Sequence, residues 1–287
     1  MSSGSSCECP ECGTLVGINE RYCPSCTLDM GAPNVRECAA RTERETLQRR
    51  FDDARSKAMK NKAKQEWEFL SSCVQNESGV VVALPAQIAR SIVTDPRLVY
   101  ANYETLVGSG LRRPATQDND RHRKAVASLL FGQADAQIRY GNLAIETESL
   151  GSYGDVSCRL RADAVRKRTS FLEENSYTFV RRHQMTPGDP IPPGYRAVWE
   201  NRHKLALAKL GGQLKPGQRR SELRGLLVQS CGDRSNDEFI EAHIYGGFTV
   251  DSIESMTKIT KAKRPNREAQ MDVKIALSQF SKRRRKS

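Results

Sequence analysis

Apolar and polar residues alternate along residues 239–250, and this pattern predicts a β-strand rich in β-branched and aromatic side chains. Glu241 stands out in this segment because its neighbours Ile240, Ala242 and Ile244 are apolar. An unpaired carboxylate is costly to bury, so Glu241 must face solvent, pair with a base or serve a site. The pattern therefore predicts either an edge strand with a solvated carboxylate or a strand that carries a functional group.

Other hydrophobic patterns divide the chain into short strands and helices. Continuous or alternating apolar residues predict strands at 80–84, 138–145 and 153–160. Apolar residues spaced by three and four predict helices at 121–131 and 197–210. Because this order lacks the regular βαβ rhythm of a doubly wound sheet, we expect an α+β fold.

Residues 35–75 are highly charged and almost free of Gly and Pro, which predicts one long or broken helix. A phase break separates two narrow apolar stripes along it: Leu47, Phe51, Ala54 and Ala58, then Trp67, Leu70 and Val74. The helix could form a short coiled coil with a protein partner, or it could lie on the main domain. In the second case its basic face would be solvated or touch phosphate, and that face comprises Arg49, Arg50, Arg55, Lys57, Lys60, Lys62 and Lys64.

Two Cys-Pro-x-Cys turns near the N-terminus form the most specific motif of the chain. Cys9 and Cys12 belong to the first turn and Cys23 and Cys26 to the second, with ten residues between the turns. Each turn can direct two thiolates at one Zn²⁺, so the pair predicts a tetrahedral four-sulfur site whose metal binding is coupled to folding. The segment resembles the zinc ribbons that begin many bacterial multidomain proteins.

Two further cysteines, Cys7 and Cys38, lie outside these turns and could be substitute ligands or free thiols. Cysteines in metal-ligand spacing, together with the lack of a secretory signal pattern, predict reduced thiols and a cytoplasmic location. No run of eighteen apolar residues is present, so we expect no membrane span.

The charge balance favours an anionic partner. Lys and Arg number 46 against 34 acidic residues, which gives a net charge of +12 and an isoelectric point near 9.4. Such a balance is typical of proteins that bind nucleic acid. From Lys258 to the last residue there are eleven bases and two acids, which indicates either a disordered solubilising tail or a phosphate-binding segment.

Three stretches, in this order along the chain, resemble the ADP-ribosyltransferase superfamily. Residues 103–111 are similar to the helix and glycine that follow the first core strand of those enzymes. Arg139-Tyr140-Gly141 lies where they place a strand with an aromatic residue that packs on nicotinamide, and residues 241–246 resemble the strand of their catalytic glutamate. The span 99–256 also resembles an uncharacterised bacterial and phage family, in part through Arg168-Thr169-Ser170-Phe171.

This resemblance implies a fold, a chemistry and a site. The fold would be a split mixed or antiparallel sheet with helices. Glu241 would be the catalytic carboxylate that stabilises the oxocarbenium-like state formed when NAD loses nicotinamide. Arginine suits the NAD phosphates because its planar fork makes bidentate contacts. The implied NAD-binding residues are Arg97, Arg139, Tyr140, Gly141 and Thr169.

The chain also departs from the pattern of that superfamily. No histidine stands on the first strand, and Phe239 replaces the acid or amide that arginine-modifying toxins carry two residues before the glutamate. His243 lies on the same strand face as Glu241, but a lone histidine is more often structural than catalytic. Modification of protein arginine is therefore disfavoured.

These observations together predict four segments and two classes of function. The segments are a zinc ribbon at 1–33, a helical linker at 34–77, an ADP-ribosyltransferase-like domain at 78–262 and a basic tail at 263–287. The first hypothesis is a toxin or antiphage defence effector that uses NAD to modify nucleic acid or an associated protein. The alternative is a non-enzymatic zinc-ribbon protein that binds nucleic acid, or a phage structural component.

Overall fold

The computed structural model describes residues 6–17, 20–101, 117–147, 149–230, 237–260 and 266–285. The segment 103–111, which carries part of the family resemblance, lies outside the described residues. In the N-terminal segment, strands β1 (Ser6–Glu8) and β2 (Leu15–Gly17) form an antiparallel hairpin. A bridge between Tyr22 and Asp29 closes the second half of the ribbon.

Three helices follow the ribbon where the sequence predicted one long or broken helix. They are α1 (Pro33–Ala39), α2 (Arg41–Lys60) and α3 (Lys64–Glu77). The break between α2 and α3 contains Lys62 at a positive φ of 60°. Leu47, Ala54, Ala58, Trp67, Leu70 and Val74 from the two stripes are buried in the core of the main domain. Because this packing occupies the stripes, they are not free to form a coiled-coil seam, and the helices lie on the domain instead.

The main domain is built on one seven-stranded antiparallel sheet, so the expected α+β class is confirmed. Its strand order is β11-β5-β3-β4-β10-β6-β7. The strands are β3 (Gly79–Leu84), β4 (Ile138–Ala144), β5 (Val156–Leu160), β6 (Thr169–Leu172), β7 (Arg196–Val198), β10 (Glu241–Tyr245) and β11 (Ile253–Lys258). Two short strands, β8 (Val228–Gln229) and β9 (Glu238–Phe239), pair separately. Hydrogen-bonded pairs link all seven strands in this order, and the split sheet that the family resemblance implied stays a prediction.

The remaining described helices are α4 (Ala86–Thr94), α5 (Gln117–Phe131), α6 (Ala162–Val165), α7 (Ser176–Arg182), α8 (Arg202–Leu210), α9 (Arg220–Gly225) and α10 (Arg267–Arg284). The main core lies on the sheet face that carries Ala242 and Ile244, and residues of α2, α3 and α8 contribute to it. A smaller apolar cluster on the opposite face joins Leu172 to residues of α5 and α7. None of the described helices is long and apolar enough to cross a membrane.

The C-terminal segment is a packed helix, so the expectation of a disordered tail is wrong for residues 267–284. Val273, Ala276 and Phe280 of α10 are buried against the main core, at the spacing of one helix face. Asp272, also buried, accepts a hydrogen bond of 2.8 Å from Arg90 of α4. The basic residues of this segment are therefore held in place by an ordered element.

Candidate metal centre and candidate polar site

Four cysteine side chains of the ribbon converge on one point. The Sγ atoms of Cys9, Cys12, Cys23 and Cys26 all lie within 4.8 Å of one another. Two of the pairs, Cys9–Cys26 and Cys12–Cys23, are 3.5 Å apart. Thiolates bound to zinc at about 2.3 Å in a tetrahedron lie about 3.8 Å apart. The cluster can therefore hold a metal ion, and its donor set and spacing fit Zn²⁺.

The two turns of the centre have the same backbone construction. The amide of Gly13 donates to the carbonyl of Cys9, and the amide of Thr27 donates to the carbonyl of Cys23, both at 2.9 Å. Gly13 and Thr27 have positive φ angles of 71° and 60°, which close each turn. Glycine adopts this conformation at little cost, which explains Gly13, whereas Thr27 adopts it despite its β-branched side chain.

The protonation of Cys12 is tuned by its surroundings. Hydrogen bonds from the side chain and backbone of Thr14 lower the pKa of the Cys12 thiol to about 6. A low pKa favours the thiolate, which is the form that binds metal. The spare cysteines are not part of the cluster among the described residues, since Cys7 faces the carbonyl of Val16 and Cys38 is buried on α1.

Helix α1 ties the ribbon to the sheet. The guanidinium of Arg36 donates to the carbonyls of Gly17 and Gly31 in the ribbon, at 3.0 and 3.1 Å. The amide of Asn34 donates to the Ser170 hydroxyl at 2.9 Å and to the carbonyl of His243 at 2.8 Å. Both side chains are buried. The ribbon is thus connected through α1 to β6 and to β10, the strand that carries Glu241.

Glu241 is a buried carboxylate in the middle of a hydrogen-bonded cluster. It accepts hydrogen bonds from the Ser176 amide, at 2.7 Å, and from the Ser176 hydroxyl. His243 Nε2 lies 3.2 Å from both the carboxylate of Glu241 and the hydroxyl of Ser176. Ser176 is the first residue of α7, so Glu241 also satisfies one of the free amides at the start of that helix. The solvated edge strand is therefore the wrong alternative for Glu241.

Aromatic rings surround the histidine of this cluster. The ring of His243 lies 4.8 Å from the ring of Phe131 and 5.4 Å from the ring of Tyr140, both edge to face. Such contacts fix the orientation of the imidazole. The arrangement presents a carboxylate, a hydroxyl and an imidazole in one place, which are groups that can hydrogen-bond a hydroxyl of a ligand or move a proton.

The strand register separates the predicted NAD-binding residues onto two faces of the sheet. Tyr140 pairs with His243, so it shares the face of Glu241. Arg139 and Thr169 both pair with Ile244, and Gly141 pairs with Ala242. These three residues lie on the other face because successive residues of a strand point to opposite sides. The prediction that they form one site with Glu241 is not supported by this arrangement.

Three of the predicted residues have other structural roles. A Cβ on Gly141 would lie 2.6 Å from the carbonyl of Val81, so glycine allows β3 and β4 to pack closely. The hydroxyl of Thr169 donates to the carbonyl of Val165 at 2.9 Å. Arg97 lies on a turn with 93% of its side chain exposed and pairs with Asp95 at 3.6 Å. None of these contacts brings the three residues to Glu241.

A small pocket lies beside His243, under α1. Its empty volume is about 250 Å³, counted with the part open to solvent. Asn34, Cys38, Ser170 and Arg196 contribute polar groups to its lining, and apolar residues of α5 complete it. The Oδ1 atom of Asn34 and the Nε atom of Arg196 are buried without a hydrogen-bond partner among the described residues. Such atoms are rare in proteins and mark places where water or a small polar group binds.

Arg196 is the main charged group of this pocket. It pairs with Glu37 at 2.9 Å and with Glu43 at 3.4 Å. Burial opposes its charge, but nearby Cys38, Glu43 and Glu37 together raise its pKa above the usual range. Sequence reasoning missed Ser176, Asn34 and Arg196 because their partners are distant in sequence.

No protein-family model matches this chain, and no curated protein matches it. Function is therefore inferred from the residues and contacts of the chain itself.

Proposed function

We propose that the protein binds nucleic acid through the basic surface of its α+β body, with the zinc ribbon as a structural attachment. The observation that carries this proposal is the separation of charge along the chain. Residues 1–33 contain one base and four acids, whereas the remaining residues contain 45 bases and 30 acids. The positive charge that attracts phosphate is thus confined to the body.

The ribbon itself is a poor surface for phosphate. Glu8, Glu11, Glu20 and Asp29 are its acids, and its one base, Arg21, pairs with Asp29 at 3.1 Å. Four thiolates around one Zn²⁺ add further negative charge. A role in holding the N-terminal segment on the body, through Arg36, fits this charge better than contact with a nucleic-acid backbone.

The end of α10 offers the densest group of bases. Lys282, Arg283 and Arg284 form its last turn, and Arg285 follows directly. Arg284 donates to the carbonyl of Glu254. An ordered helix end presents these charges without the ordering cost that a flexible tail would incur. Exposed bases also occur along α2, among the exposed acids Glu45, Asp52 and Asp53: Arg41, Arg44, Arg49, Arg55, Lys57 and Lys60.

Binding of labelled DNA and RNA, followed by fluorescence anisotropy, tests this function. We expect affinity to fall steeply between about 50 and about 200 mM salt, as phosphate contacts dictate. The double variant Lys282→Gln/Arg285→Gln should weaken binding and flatten the salt dependence. The control Arg97→Gln/Arg161→Gln removes the same charge from arginines that already pair with Asp95 and Asp163. Equal effects of both variants, or no binding at low salt, would contradict the proposal.

A second candidate function is NAD-dependent ADP-ribosyl transfer by Glu241. Its support is the position of this buried carboxylate on a rigid strand, in contact with Ser176 and on the same sheet face as His243 and Tyr140. A carboxylate held in this way can hydrogen-bond a ribose hydroxyl and stabilise the positive charge that develops as nicotinamide leaves. The phosphate contacts would have to come from residues other than Arg97 and Arg139.

Measurement of NAD⁺ consumption distinguishes the two functions. Glu241→Gln should lower the rate by about 100- to 1,000-fold if the carboxylate stabilises the transition state. Glu254→Gln is the matched control because Glu254 is half exposed and pairs with Arg159. Circular dichroism should establish that both variants are folded. Absence of NAD⁺ consumption by the wild type with nucleic-acid and protein acceptors would rule out the second candidate.

A further inference from the structure

Two arginines flank the end of β10 without a carboxylate partner. Arg139 of β4 pairs in register with Ile244 from one side. Arg168 directly precedes Thr169, which pairs with Ile244 from the other side. Neither guanidinium lies within ion-pairing distance of a carboxylate among the residues that the structure describes. An unpaired cation in a partly buried position is costly, so this arrangement needs an explanation.

Backbone carbonyls fix the guanidinium of Arg139. Its Nε donates to the carbonyl of Tyr100 at 3.4 Å, and its Nη1 donates to the carbonyls of Ala136 and Ile138 at 3.0 and 3.3 Å. Its Nη2 has no hydrogen-bond partner within the described part of the chain. The fully buried atoms that lack a partner do not include this nitrogen. This nitrogen therefore retains some contact with solvent, although only 8% of Arg139 is exposed.

Arg168 has the same pattern of used and unused nitrogens. Its Nε donates to the carbonyl of Ala164 at 3.0 Å, and its Nη1 donates to the carbonyls of Gly246, at 3.1 Å, and Tyr245. Its Nη2 also has no partner among the described residues and retains contact with solvent. Burial lowers the pKa of both arginines. Both groups are held at the same turn, because the amide of Gly246 donates to the carbonyl of Gln137, between the carbonyls of Ala136 and Ile138 that bind Arg139.

Comparison with Arg202 separates this pair from purely structural arginines. Arg202 is also buried, and the described residues offer it no carboxylate within ion-pairing distance. However, each of its three nitrogens is used, since they donate to the Ser78 hydroxyl and to the carbonyls of Trp199 and Gln75. A structural role therefore accounts for Arg202 completely, whereas it leaves one nitrogen of Arg139 and one of Arg168 unexplained.

The glycine turn after β10 shapes this place. Gly246 has a φ of 75°, and a Cβ on Gly247 would lie 2.3 Å from Val99 Cγ1 and 2.7 Å from the carbonyl of Tyr100. Glycine at both positions therefore allows the turn to form and residues 99–100 to pack against it. The result is a backbone frame that holds the two guanidinium groups in fixed orientations.

We infer that the free Nη2 groups of Arg139 and Arg168 bind one phosphate group of the nucleic-acid backbone. Arginine is suited to this task because its planar fork remains charged and matches the oxygens of phosphate. The exposed Arg166 and Lys167 lie beside Arg168 and extend the positive surface. This inference rests on the proposed nucleic-acid binding, and it concerns the end of β10 at Tyr245 and Gly246.

Chemical modification of the wild-type protein tests the site directly. Phenylglyoxal labels arginine, and mass spectrometry measures labelling at each position without ligand, with inorganic phosphate and with a short oligonucleotide. We expect the oligonucleotide to protect Arg139 and Arg168, relative to the exposed Arg97. Protection by inorganic phosphate alone would assign the site to a free anion and overturn the inference. Unchanged labelling while the oligonucleotide binds would also overturn it, and absence of binding would instead overturn the proposed function.

Variants provide an independent measurement. Arg168→Gln should weaken oligonucleotide binding several-fold and reduce the slope of log affinity against log salt by about 0.7–0.9, the value for one phosphate contact. Arg161→Gln removes the same charge from an exposed residue paired with Asp163 and should leave the slope unchanged. Arg168→Lys, which keeps the charge, should restore part of the affinity. Equal slopes for Arg168→Gln and the wild type would argue against the site, and thermal unfolding establishes that each variant is folded.

Discussion

The four clustered cysteines can hold Zn²⁺, and stripping this ion with a chelator should unfold the ribbon and leave the α+β body folded. Apart from the ligands Cys9 and Cys23, the buried apolar core of the ribbon consists of Val16 and Met30 among the described residues. Burial of such side chains contributes about 1.5–3 kcal/mol each. A structural zinc ion contributes about 10–16 kcal/mol at neutral pH. Since fixing the backbone costs about 1–2 kcal/mol per residue, two apolar side chains cannot hold the segment without the metal.

Hydrogen–deuterium exchange with mass spectrometry, before and after treatment with a chelator, measures this effect. Exchange in the ribbon should rise to the level of an unfolded chain as zinc is released. Exchange in α1 should also rise, because Arg36 loses the carbonyls of Gly17 and Gly31. Peptides from the sheet should not change, because no described residue of the ribbon belongs to the main core.

Two cysteine variants provide the control. Cys23→Ser should reproduce the effect of the chelator. Cys7→Ser should retain zinc, because Cys7 is not one of the four clustered cysteines and its thiol donates to the carbonyl of Val16 at 3.8 Å. If the ribbon stays protected from exchange after one zinc ion per protein chain has been removed, the reasoning is refuted. Loss of zinc in Cys7→Ser would mean that the ligand set has been misassigned.

Three further predictions concern stability. Phe280→Ala should lower the free energy of unfolding by about 3–5 kcal/mol in a urea titration, because this side chain is buried; a solvated tail would show no change. Gly247→Ala should cost about 1–3 kcal/mol through its clash with Val99, whereas Gly225→Ala, whose Cβ meets nothing within 4 Å, should not destabilise. Burial raises the pKa of the Cys38 thiol from 9.0 to about 12, so the thiol loses its proton at a lower pH in the unfolded chain than in the folded protein. The free energy of unfolding should therefore fall as pH rises from 9.0 to about 12, and Cys38→Ser should lessen this fall.

The features that the sequence predicted best depend on residues that lie close together along the chain. The clustering of the four cysteines follows from two local turns, so their spacing was sufficient to predict it. The helical stripes of residues 35–75 also predicted which side chains are buried. Their partner could not be predicted, because α2 packs on α8, which lies more than a hundred residues later in the chain.

The candidate polar site could be predicted only in part. Glu241 was identified from its apolar neighbours, but its partner Ser176 is 65 residues away and belongs to another element. The error concerning Arg139 and Gly141 was avoidable, because adjacent residues of one strand cannot face the same ligand as Tyr140. The two-residue period of the predicted strand contained this information.

The position of β10 in the sheet has a consequence for synthesis of the protein. This strand lies between β4 and β6 and joins them, and no other strand of the described residues does so. Since it comprises residues 241–245, the ribosome makes it after both of these neighbours. Until then β4 and β6 keep unpaired edges, which are prone to pair with other chains. Fragments that end before Glu241 should therefore aggregate rather than fold, even though they contain the ribbon and five of the seven strands.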